Sequence, residues 1–293
     1  MPQAILEPTC TSQIHPTAGE GRIGMTDGIT LADQDVVSLD KIADGLIGLR
    51  ILLVNVYAVS NGSDWVLVDA GLYLSAGRIR RWAQAHFGDR KPAAIVLTHG
   101  HFDHVGALKD LLDEWDVPVF AHEPEMPYLQ GRLSYPAPRA AAGGGLMSVL
   151  APFYPRGPID LGNRVQTLPA DGAVPALSGW RWVHTPGHTA GHISLFRDSD
   201  QTLVVGDAFC TTKQESALAI ATQKAELHGP PAYYTSDWDA AKRSVELLAN
   251  LRPRVVAPGH GLPMAGVDVA DALQTLARDF DQVARPHRED RAA

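Results

Sequence analysis

Side chains able to bind metals are concentrated in one short segment, Thr98–Gly106, which reads THGHFDHVG. His99, His101, Asp103 and His104 offer imidazole and carboxylate groups, which are common ligands of divalent transition metals. His99 and His101 are two residues apart, so both can face one ion on an extended turn. Asp103 and His104 are adjacent and can face a second ion. The segment therefore predicts half of the ligands for a pair of metal ions.

Three further donors follow apolar runs elsewhere in the chain. His188 lies within HTPGHTAGH (184–192), Asp207 ends the run LVVGD, and His260 follows VVAPG. Zinc takes about four ligands, and a catalytic site leaves one position open, so the first segment cannot complete two sites. The Pro-Gly pairs before His188 and His260 favour tight turns. A carboxylate at Asp207 would be costly at the edge of a core unless a cation accompanied it.

These seven donors, in this order, resemble the motif of the metallo-β-lactamase-fold hydrolases over roughly residues 36–275. The resemblance implies an α/β fold, a four-layer αββα sandwich with the metals at one edge of its two sheets. It also implies two ligand sets, which are His99, His101 and His188 for one metal and Asp103, His104 and His260 for the other, with Asp207 bridging them. We expect two zinc ions per chain, and Fe, Mn or Co are alternatives because they accept the same donors.

The chemistry expected of such a centre is hydrolysis. Two cations that share a water lower its pKa from about 15.7 toward neutrality, which gives a metal-bridging hydroxide as nucleophile. Asp103 is expected to be catalytic, because it can both bind a metal and accept the proton of the nucleophile. The sequence contains no GxSxG motif, and Cys210 is expected to be a buried small side chain. The prediction is a dinuclear metal-dependent hydrolase for a small ester-like substrate, namely a lactone, thioester, ester or organophosphate.

Subgroups of the family leave several alternatives. Class B β-lactamases lack the bridging aspartate, so Asp207 leaves β-lactam cleavage as a weak activity. Glyoxalase II resembles this chain in all its ligands, but the segment after His260 is too short for its glutathione-binding helical domain, which favours a lactonase-like branch. A mononuclear iron sulfur dioxygenase is the alternative from another reaction class, and the complete second ligand set disfavours it. A non-catalytic scaffold that keeps metal for stability is a third alternative.

Other polar residues have predicted supporting roles. The resemblance makes Asp69 a hydrogen-bond partner of a metal-binding histidine, with a helix cap or turn as the alternative. His184 and His192 are expected to support the site without binding metal. Tyr233 and Tyr234 could donate to a developing oxyanion, or pack beneath the lid. The remaining histidines are expected to have no direct role: His15, His86, His122, His228 and His287.

Apolar runs and helical spacings alternate along the chain, which indicates an α/β layer fold. The turn sequence SNGSD (60–64) between two apolar runs predicts a β-hairpin. Predicted strands cover 51–59, 65–71, 93–98, 117–122, 164–168, 180–185, 192–198, 202–207 and 254–258. Predicted helices cover 75–87, 104–115, 238–251 and 267–284.

The candidate ligands come from both halves of the chain, which predicts one domain over residues 31–284. Residues 1–30 are polar and rich in Gly, Pro and Thr, as in a loosely ordered arm, and 285–293 form a charged tail. Residues 123–163 contain seven prolines and several aromatic residues. This insertion is expected to be a lid that roofs an apolar substrate, with a surface connector as the alternative. Lys213 is expected either to contact an anionic group or to be solvated.

Charge and composition exclude some partners. The formal net charge of −8 over 293 residues argues against nucleic acid as the main partner. No apolar run approaches the roughly 20 residues of a membrane span, and the N-terminal sequence lacks the features of a signal peptide. Cys10 and Cys210 form no CxxC motif, as is usual for thiols in a reducing compartment. We therefore expect a cytoplasmic enzyme for a small molecule, without nucleic-acid or membrane partners. A homodimer formed through the lid is left open.

Overall fold

The computed structural model describes residues 36–62, 64–139, 142, 145–157 and 159–286. All of these residues belong to one compact unit, Ala32–Ala293. The arm expected at 1–30 lies outside the described residues, as does the charged tail beyond Pro286. The domain limits of 31–284 therefore stay a prediction.

Two β-sheets form the centre of this unit. In the first sheet the strands follow the order of the chain, and they are β1 (Val36–Ala43), β2 (Leu46–Ile51), β3 (Val54–Ser60), β4 (Trp65–Val68), β5 (Ala94–Val96), β6 (Val119–Ala121) and β7 (Val165–Thr167). Strands β1 to β4 pair antiparallel, and β4 to β7 pair parallel. The second sheet has the order β12-β11-β10-β9-β8, with β8 (Trp180–His184), β9 (Ile193–Arg197), β10 (Thr202–Gly206), β11 (Val255–Pro258) and β12 (Met264–Ala265).

Within the described ranges, four longer helices cover the outer faces of both sheets, and short helices lie in the connecting segments. In chain order the helices are α1 (Ala76–Phe87), α2 (Phe102–Val105), α3 (Leu108–Trp115), α4 (Met126–Leu129), α5 (Leu146–Leu150), α6 (Ala217–Thr222), α7 (Trp238–Asn250), α8 (Asp268–Arg278) and α9 (Phe280–Val283), of which α1, α3, α7 and α8 are the longer ones. Helix α7 begins at an aspartate cap, where the Asp237 carboxylate accepts from the backbone N–H groups of Asp239 and Ala240. None of the helices in the described part of the chain combines the length and apolar character needed to cross a bilayer.

Three apolar clusters separate the four layers. Helices α1 and α3 bury one face against the first sheet, and α7 and α8 do the same against the second. The third cluster lies between the sheets, where Val66 and Val96 of one sheet share a core with Leu195 and Val204 of the other. The expected α/β fold, a four-layer αββα sandwich, is confirmed. Burial of apolar area at these three interfaces is the main favourable term in its stability.

Three predicted elements have different limits in the structure. The prediction of a single helix over 104–115 is wrong, because the structure has two helices there, α2 and α3. The backbone N–H groups of Gly106 and Ala107 donate to the carbonyls of Gly71 and Ala70, which ends α2. The run 51–59 contains the end of β2 and most of β3, since Leu52 has a positive φ of 58° and starts a reversal. The last predicted helix is interrupted at Asp279 between α8 and α9. Strands β1 and β12 and helices α4, α5 and α6 were not predicted, and only the last residue of β2 lies within a predicted strand.

Candidate metal centre

The predicted donors lie together at one edge of the two sheets, each just beyond the end of a strand or in the loop that follows it. The first segment follows β5, His188 follows β8, Asp207 follows β10, and His260 follows β11. All seven are buried, and the most exposed of them is Asp103 at 8%. Strands that run in the same direction end at the same edge of a sheet. This topology therefore brings residues that are far apart in the sequence into one crevice.

The first group consists of His99, His101 and His188. His101 Nδ1 lies 3.0 Å from His99 Nε2 and 2.9 Å from His188 Nε2. A single proton on His101 Nδ1 can serve one of these contacts but not both. Three nitrogens therefore converge on one point, as they would around a cation.

Asp207 lies between this group and the second one. Its Oδ2 is 3.4 Å from His188 Nε2 and 3.2 Å from His260 Nε2, and its Oδ1 is 3.5 Å from His104 Nε2. Asp103 Oδ2 lies 3.4 Å from His260 Nε2 and 4.0 Å from His104 Nε2. The ligand atoms form two further sets, His99 with His104 and Asp207, and Asp103 with His104 and His260, each within 4.8 Å. The structure thus brings all seven predicted residues together.

Hydrogen bonds on the outer side fix the tautomers of His104 and His260. His104 Nδ1 lies 2.8 Å from Asp69 Oδ2, and a carboxylate at that position accepts a proton. His260 Nδ1 lies 2.7 Å from the carbonyl oxygen of Leu53, which can only accept. Both imidazoles therefore carry a proton on Nδ1, and Nε2 of each ring faces the centre.

Threonine hydroxyls play the same part for His99 and His188. The Thr98 hydroxyl donates to Asp69 Oδ2 at 2.8 Å, so it accepts from His99 Nδ1 at 3.0 Å. Likewise the Thr235 hydroxyl donates to the carbonyl of Pro231 at 2.8 Å and accepts from His188 Nδ1 at 3.2 Å. The inner Nε2 atoms are left as lone pairs, the form in which imidazole binds a metal.

Two buried atoms at the centre have no hydrogen bond among the described residues, namely His104 Nε2 and Asp207 Oδ1. Buried polar groups are normally satisfied, so each exception needs an explanation. These two atoms face each other across 3.5 Å, and a divalent cation bound at this place would satisfy both. The donor set therefore fits the metals that the sequence predicts.

Burial and charge divide the histidines into two classes. Burial lowers the pKa of His101 to about 4 and holds the pKa of His99 and of His188 well below the usual range. Burial acts in the same direction on His260, but Asp207 and Asp103 outweigh it and raise its pKa to about 10. The first group is therefore neutral at pH 7, whereas in the metal-free protein His260 holds a proton beside the carboxylates.

Residues outside the predicted set hold the loops in place. Asn55 Nδ2 donates to the carbonyls of Pro258 and Gly261, and the Tyr57 hydroxyl also donates to Pro258, which ties β3 to the loop of His260. Sequence reasoning missed these contacts, although an asparagine inside the apolar run ILLVNVYAV was a usable signal. His192 accepts from the backbone N–H of Asp207 through Nε2, and its Nδ1 faces Thr185. Both of its nitrogens are in use, so it supports the centre without facing it.

Other predicted residues lie away from the centre. The His184 side chain is exposed, and its Nε2 lies 2.9 Å from the carbonyl of Ala190. Cys210 is a buried free thiol whose pKa is raised by burial, as the sequence suggested. Lys213 is exposed and does not line the cavity described below. The predicted contact of Asp69 with a histidine of the centre is present.

A cavity of about 170 Å³ opens onto the centre. Leucine, proline and aromatic side chains form most of its wall, and none of its lining residues is a lysine or arginine: Leu52, Leu53, Leu72, His101, Phe102, Asp103, Tyr154, His188, Asp207, Pro231, Tyr233, Tyr234 and His260. Tyr154 comes from the insertion 123–163, and the Tyr234 ring lies 4.8 Å from the His101 ring. The site therefore combines buried metal-binding donors with an apolar, aromatic wall.

A buried cluster of histidines and aspartates at the edge of an αββα sandwich, beside an apolar cavity, defines a metal-dependent hydrolase. The chain belongs to the metallo-beta-lactamase superfamily, whose sequence profile matches residues 49–260.

Comparisons with individual proteins agree with this family. The chain is 46% identical over 245 residues to the probable metallo-hydrolase YflN of Bacillus subtilis, covering 82% of this chain and 93% of that protein. It is 27% identical over 235 residues to the thioesterase pkgB of Emericella nidulans, covering 79% of this chain and 51% of pkgB. Among solved structures, TTHA1623 in a di-iron-bound form is similar with a TM-score of 0.51 and 26% identity, covering 77% of this chain and 92% of that one.

Proposed function

We propose that this metal-dependent hydrolase is dinuclear and cleaves small uncharged ester-like substrates, with thioesters, lactones, esters and organophosphates as the candidate classes. The convergence of the buried donors into three groups that share members supports the dinuclear centre. His104 belongs to two of these groups, as does His99, so the groups are close enough to act as one centre. The similarity to a fungal thioesterase supports the ester-like class.

The two ions are assigned to the ligand sets predicted from the sequence. His99, His101 and His188 would hold one ion, Asp103, His104 and His260 would hold the other, and Asp207 would contribute its carboxylate to both. We propose zinc, while the di-iron form of TTHA1623 supports iron as an alternative. When bound, the pair of cations lowers the pKa of a shared water and polarises the scissile carbonyl or phosphoryl group.

Two further side chains have proposed roles in the reaction. Asp103 lines the cavity as well as the centre, so its carboxylate can accept the proton released by the attacking water. Tyr233 also lines the cavity, as a buried side chain that carries a hydroxyl group. That hydroxyl is available to donate to the oxygen on which charge develops during attack.

The cavity wall supports a substrate without a formal charge. An anionic group would be recognised by lysine or arginine, and neither contributes to the lining. Leu52, Leu72 and Phe102 instead offer contacts to an apolar acyl or ring portion. We propose that Tyr154, from the insertion 123–163, roofs this portion as part of a lid. Small molecules, not nucleic acids or membranes, are the proposed partners.

A metal and substrate survey tests the proposal. The purified chain is analysed for metal, stripped with a chelator, and reloaded with zinc before assay on thioesters, lactones, aryl esters, phosphotriesters and β-lactams. We expect two ions per chain and turnover that is lost on stripping and restored by zinc. His101→Ala and Asp207→Ala should lose both metal and turnover. His184→Ala is the matched control, because its exposed side chain lies outside the centre.

Three results would count against this function. Turnover that survives complete removal of metal would refute the metal-dependent mechanism. Wild-type turnover by metal-depleted Asp207→Ala would refute the bridging role. One iron per chain together with oxygen consumption during turnover would replace the proposal with the sulfur dioxygenase alternative.

A further inference from the structure

Glu125 is a buried carboxylate that the reaction proposed above does not use. It lies in a single helical turn, Glu123–Glu125, at the start of the insertion 123–163, and its side chain is fully buried. Oε1 accepts from the Thr189 hydroxyl at 2.6 Å and from the backbone N–H of Gly191 at 2.9 Å. Oε2 accepts from the backbone N–H of Gly100 at 3.1 Å and from the Tyr135 hydroxyl.

These four donors come from both ligand loops of the first metal group and from the insertion itself. Gly100 stands between His99 and His101, and Thr189 directly follows His188. One carboxylate group therefore connects two loops that are almost ninety residues apart in the chain. The Tyr135 ring also packs edge-on against His101, with ring centroids 4.5 Å apart.

The glycines of both loops allow this close approach. A Cβ at Gly100 would lie 2.6 Å from the Tyr135 hydroxyl oxygen, and a Cβ at Gly191 would lie 2.7 Å from Glu125 Cγ. Both distances are shorter than side chains tolerate without a shift. The glycines in THGH and TAGH thus leave room for Glu125 and Tyr135.

No arginine, lysine or histidine forms an ion pair with Glu125 among the described residues. Burial raises the pKa of Glu125, although its four hydrogen bonds act in the opposite direction. An apolar side chain would fill the same space without the cost of burying a carboxyl group. What an apolar side chain could not do is accept from two backbone N–H groups on opposite loops.

We infer that Glu125 is a positioning residue that holds the loops of His101 and His188 in their metal-binding arrangement and, with Tyr135, joins the insertion 123–163 to the metal centre. The inference rests on the proposed dinuclear site. It adds a residue that touches neither metal nor substrate and acts through the backbone of the ligand loops.

Substitutions at Glu125 and Tyr135 separate the parts of this arrangement. Glu125→Ala removes all four hydrogen bonds. In Glu125→Gln one carboxylate oxygen becomes an NH2 group, which must face the backbone N–H of either Gly100 or Gly191. A backbone N–H can only donate, so that hydrogen bond is lost. The Thr189 and Tyr135 hydroxyls can turn to accept from the NH2 group instead. Tyr135→Phe removes one hydroxyl, which donates to Glu125 and also accepts from the Gly100 N–H at 3.1 Å, but it keeps the Glu125 carboxylate and its contacts to both loops. The three variants should therefore weaken the arrangement in the order Ala, Gln, Phe.

The experiment measures zinc affinity by competition with a chromophoric chelator, the visible absorption spectrum after loading with Co²⁺, and the unfolding temperature of the metal-free protein. We expect Glu125→Ala to weaken one of the two zinc affinities, that of the site formed by His99, His101 and His188, by about 10- to 100-fold, as loss of other outer contacts of metal ligands does. The Co²⁺ spectrum should change with it. Ile79→Ala is the control, because Ile79 is fully buried in the core under α1. It should lower the unfolding temperature but keep both zinc affinities.

Wild-type zinc affinities and an unchanged Co²⁺ spectrum in Glu125→Ala would overturn the inference, whatever its unfolding temperature. If that variant does not fold, the same two readouts on Glu125→Gln decide the question. A wild-type chain that binds two ions and hydrolyses substrate, with both Glu125 variants unaffected, overturns the positioning role alone. A wild-type chain that binds no pair of zinc ions overturns the proposed function together with it.

Discussion

Replacing Asp69 by asparagine should impair metal binding although Asp69 is not one of the ligands. Asp69 Oδ1 accepts from the Thr98 backbone N–H at 2.8 Å, and Oδ2 accepts from the Thr98 hydroxyl and from His104 Nδ1, each at 2.8 Å. The asparagine side chain would have one oxygen and one NH2 group in the same place. Because the Thr98 N–H can only donate, the oxygen must stay on that side, and the NH2 must face His104 and the Thr98 hydroxyl.

This substitution reverses the direction of two hydrogen bonds. His104 Nδ1 would have to accept from the amide, so its proton would move to Nε2, the atom that faces the centre. The Thr98 hydroxyl would also accept from the amide, and its own proton would then point at His99 Nδ1. His99 would be driven to the same wrong tautomer. A proton on either inner nitrogen must be displaced before a metal can bind.

The size of the effect follows from the number of contacts that change. Loss of one outer partner of a metal ligand costs about 10- to 100-fold in metal affinity. That range corresponds to about 1.4 to 2.7 kcal/mol of binding free energy. Two ligands are affected, so we expect Asp69→Asn to weaken metal affinity by a factor near the upper end of this range. The metal-free protein should also lose some stability, because the buried contact between Asp69 and His104 changes. Both contacts to Thr98 can be kept, and asparagine tolerates the positive φ of 64° at this position.

The assay compares zinc affinity, metal content and unfolding free energy of the two proteins. Asp237→Asn is the matched control, because asparagine caps a helix as well as aspartate does and Asp237 lies at the start of α7. The control should keep its zinc and its turnover. The tautomer argument is refuted if Asp69→Asn binds two zinc ions with wild-type affinity. It is equally refuted if nitrogen NMR shows the His104 proton still on Nδ1.

Three further predictions concern neighbouring residues. Tyr233→Phe should reduce kcat by about 100-fold with little change in KM, because a donor to a developing oxyanion acts in the transition state, and a change confined to KM would contradict this. Gly100→Ala should lower the free energy of unfolding by about 1 to 3 kcal/mol, because the added methyl group overpacks against Tyr135. Tyr135→Phe in the same chain should restore part of this loss. If the two losses simply add, the clash with the Tyr135 hydroxyl is excluded. Burial lowers the folded-state pKa of His192 to about 3, from an ordinary value of 6.5, so its contribution to stability is complete above pH 6.5 and is lost as the pH falls toward 3. The deficit of metal-free His192→Gln in urea unfolding should therefore shrink between pH 7.5 and pH 5, and a deficit that grows would show the opposite linkage.

The grouping of the candidate donors at one edge could be predicted from the sequence because most donors follow a strand that reads as a short apolar run. AAIVLT ends at the first histidines, LVVGD ends at Asp207, and VVAPG ends before His260. An apolar run marks a buried strand, and a polar residue at its end marks the edge of the sheet. Together with the resemblance to a known motif, these two facts lead to the expectation that the donors share one crevice.

The residues that hold the donors were harder to predict. Glu125 stands in HEPEMP, where nothing local separates a buried glutamate from a solvated one. Its partners include Gly100 and Gly191, and only the folded chain brings them together. Strand β1 was missed for a related reason. Its sequence VVSLDKIA is largely exposed or half-buried and lacks the alternation that marks a strand with one buried face.

The geometry of the centre explains why so many outer contacts are needed. His99, His101 and His188 direct nitrogen atoms at one another across 2.9 to 3.0 Å, and lone pairs at that distance repel unless a proton or cation lies between them. In the metal-free chain a proton on His101 Nδ1 can hold one of these two contacts, and the other contact stays repulsive. The restraint must come from outside, from Thr98 and Thr235 behind the rings and from Glu125 across the loops. A centre restrained in this way binds a cation without the free-energy cost of first ordering its ligands. For this reason we expect the residues behind the ligands to have a strong effect on metal affinity.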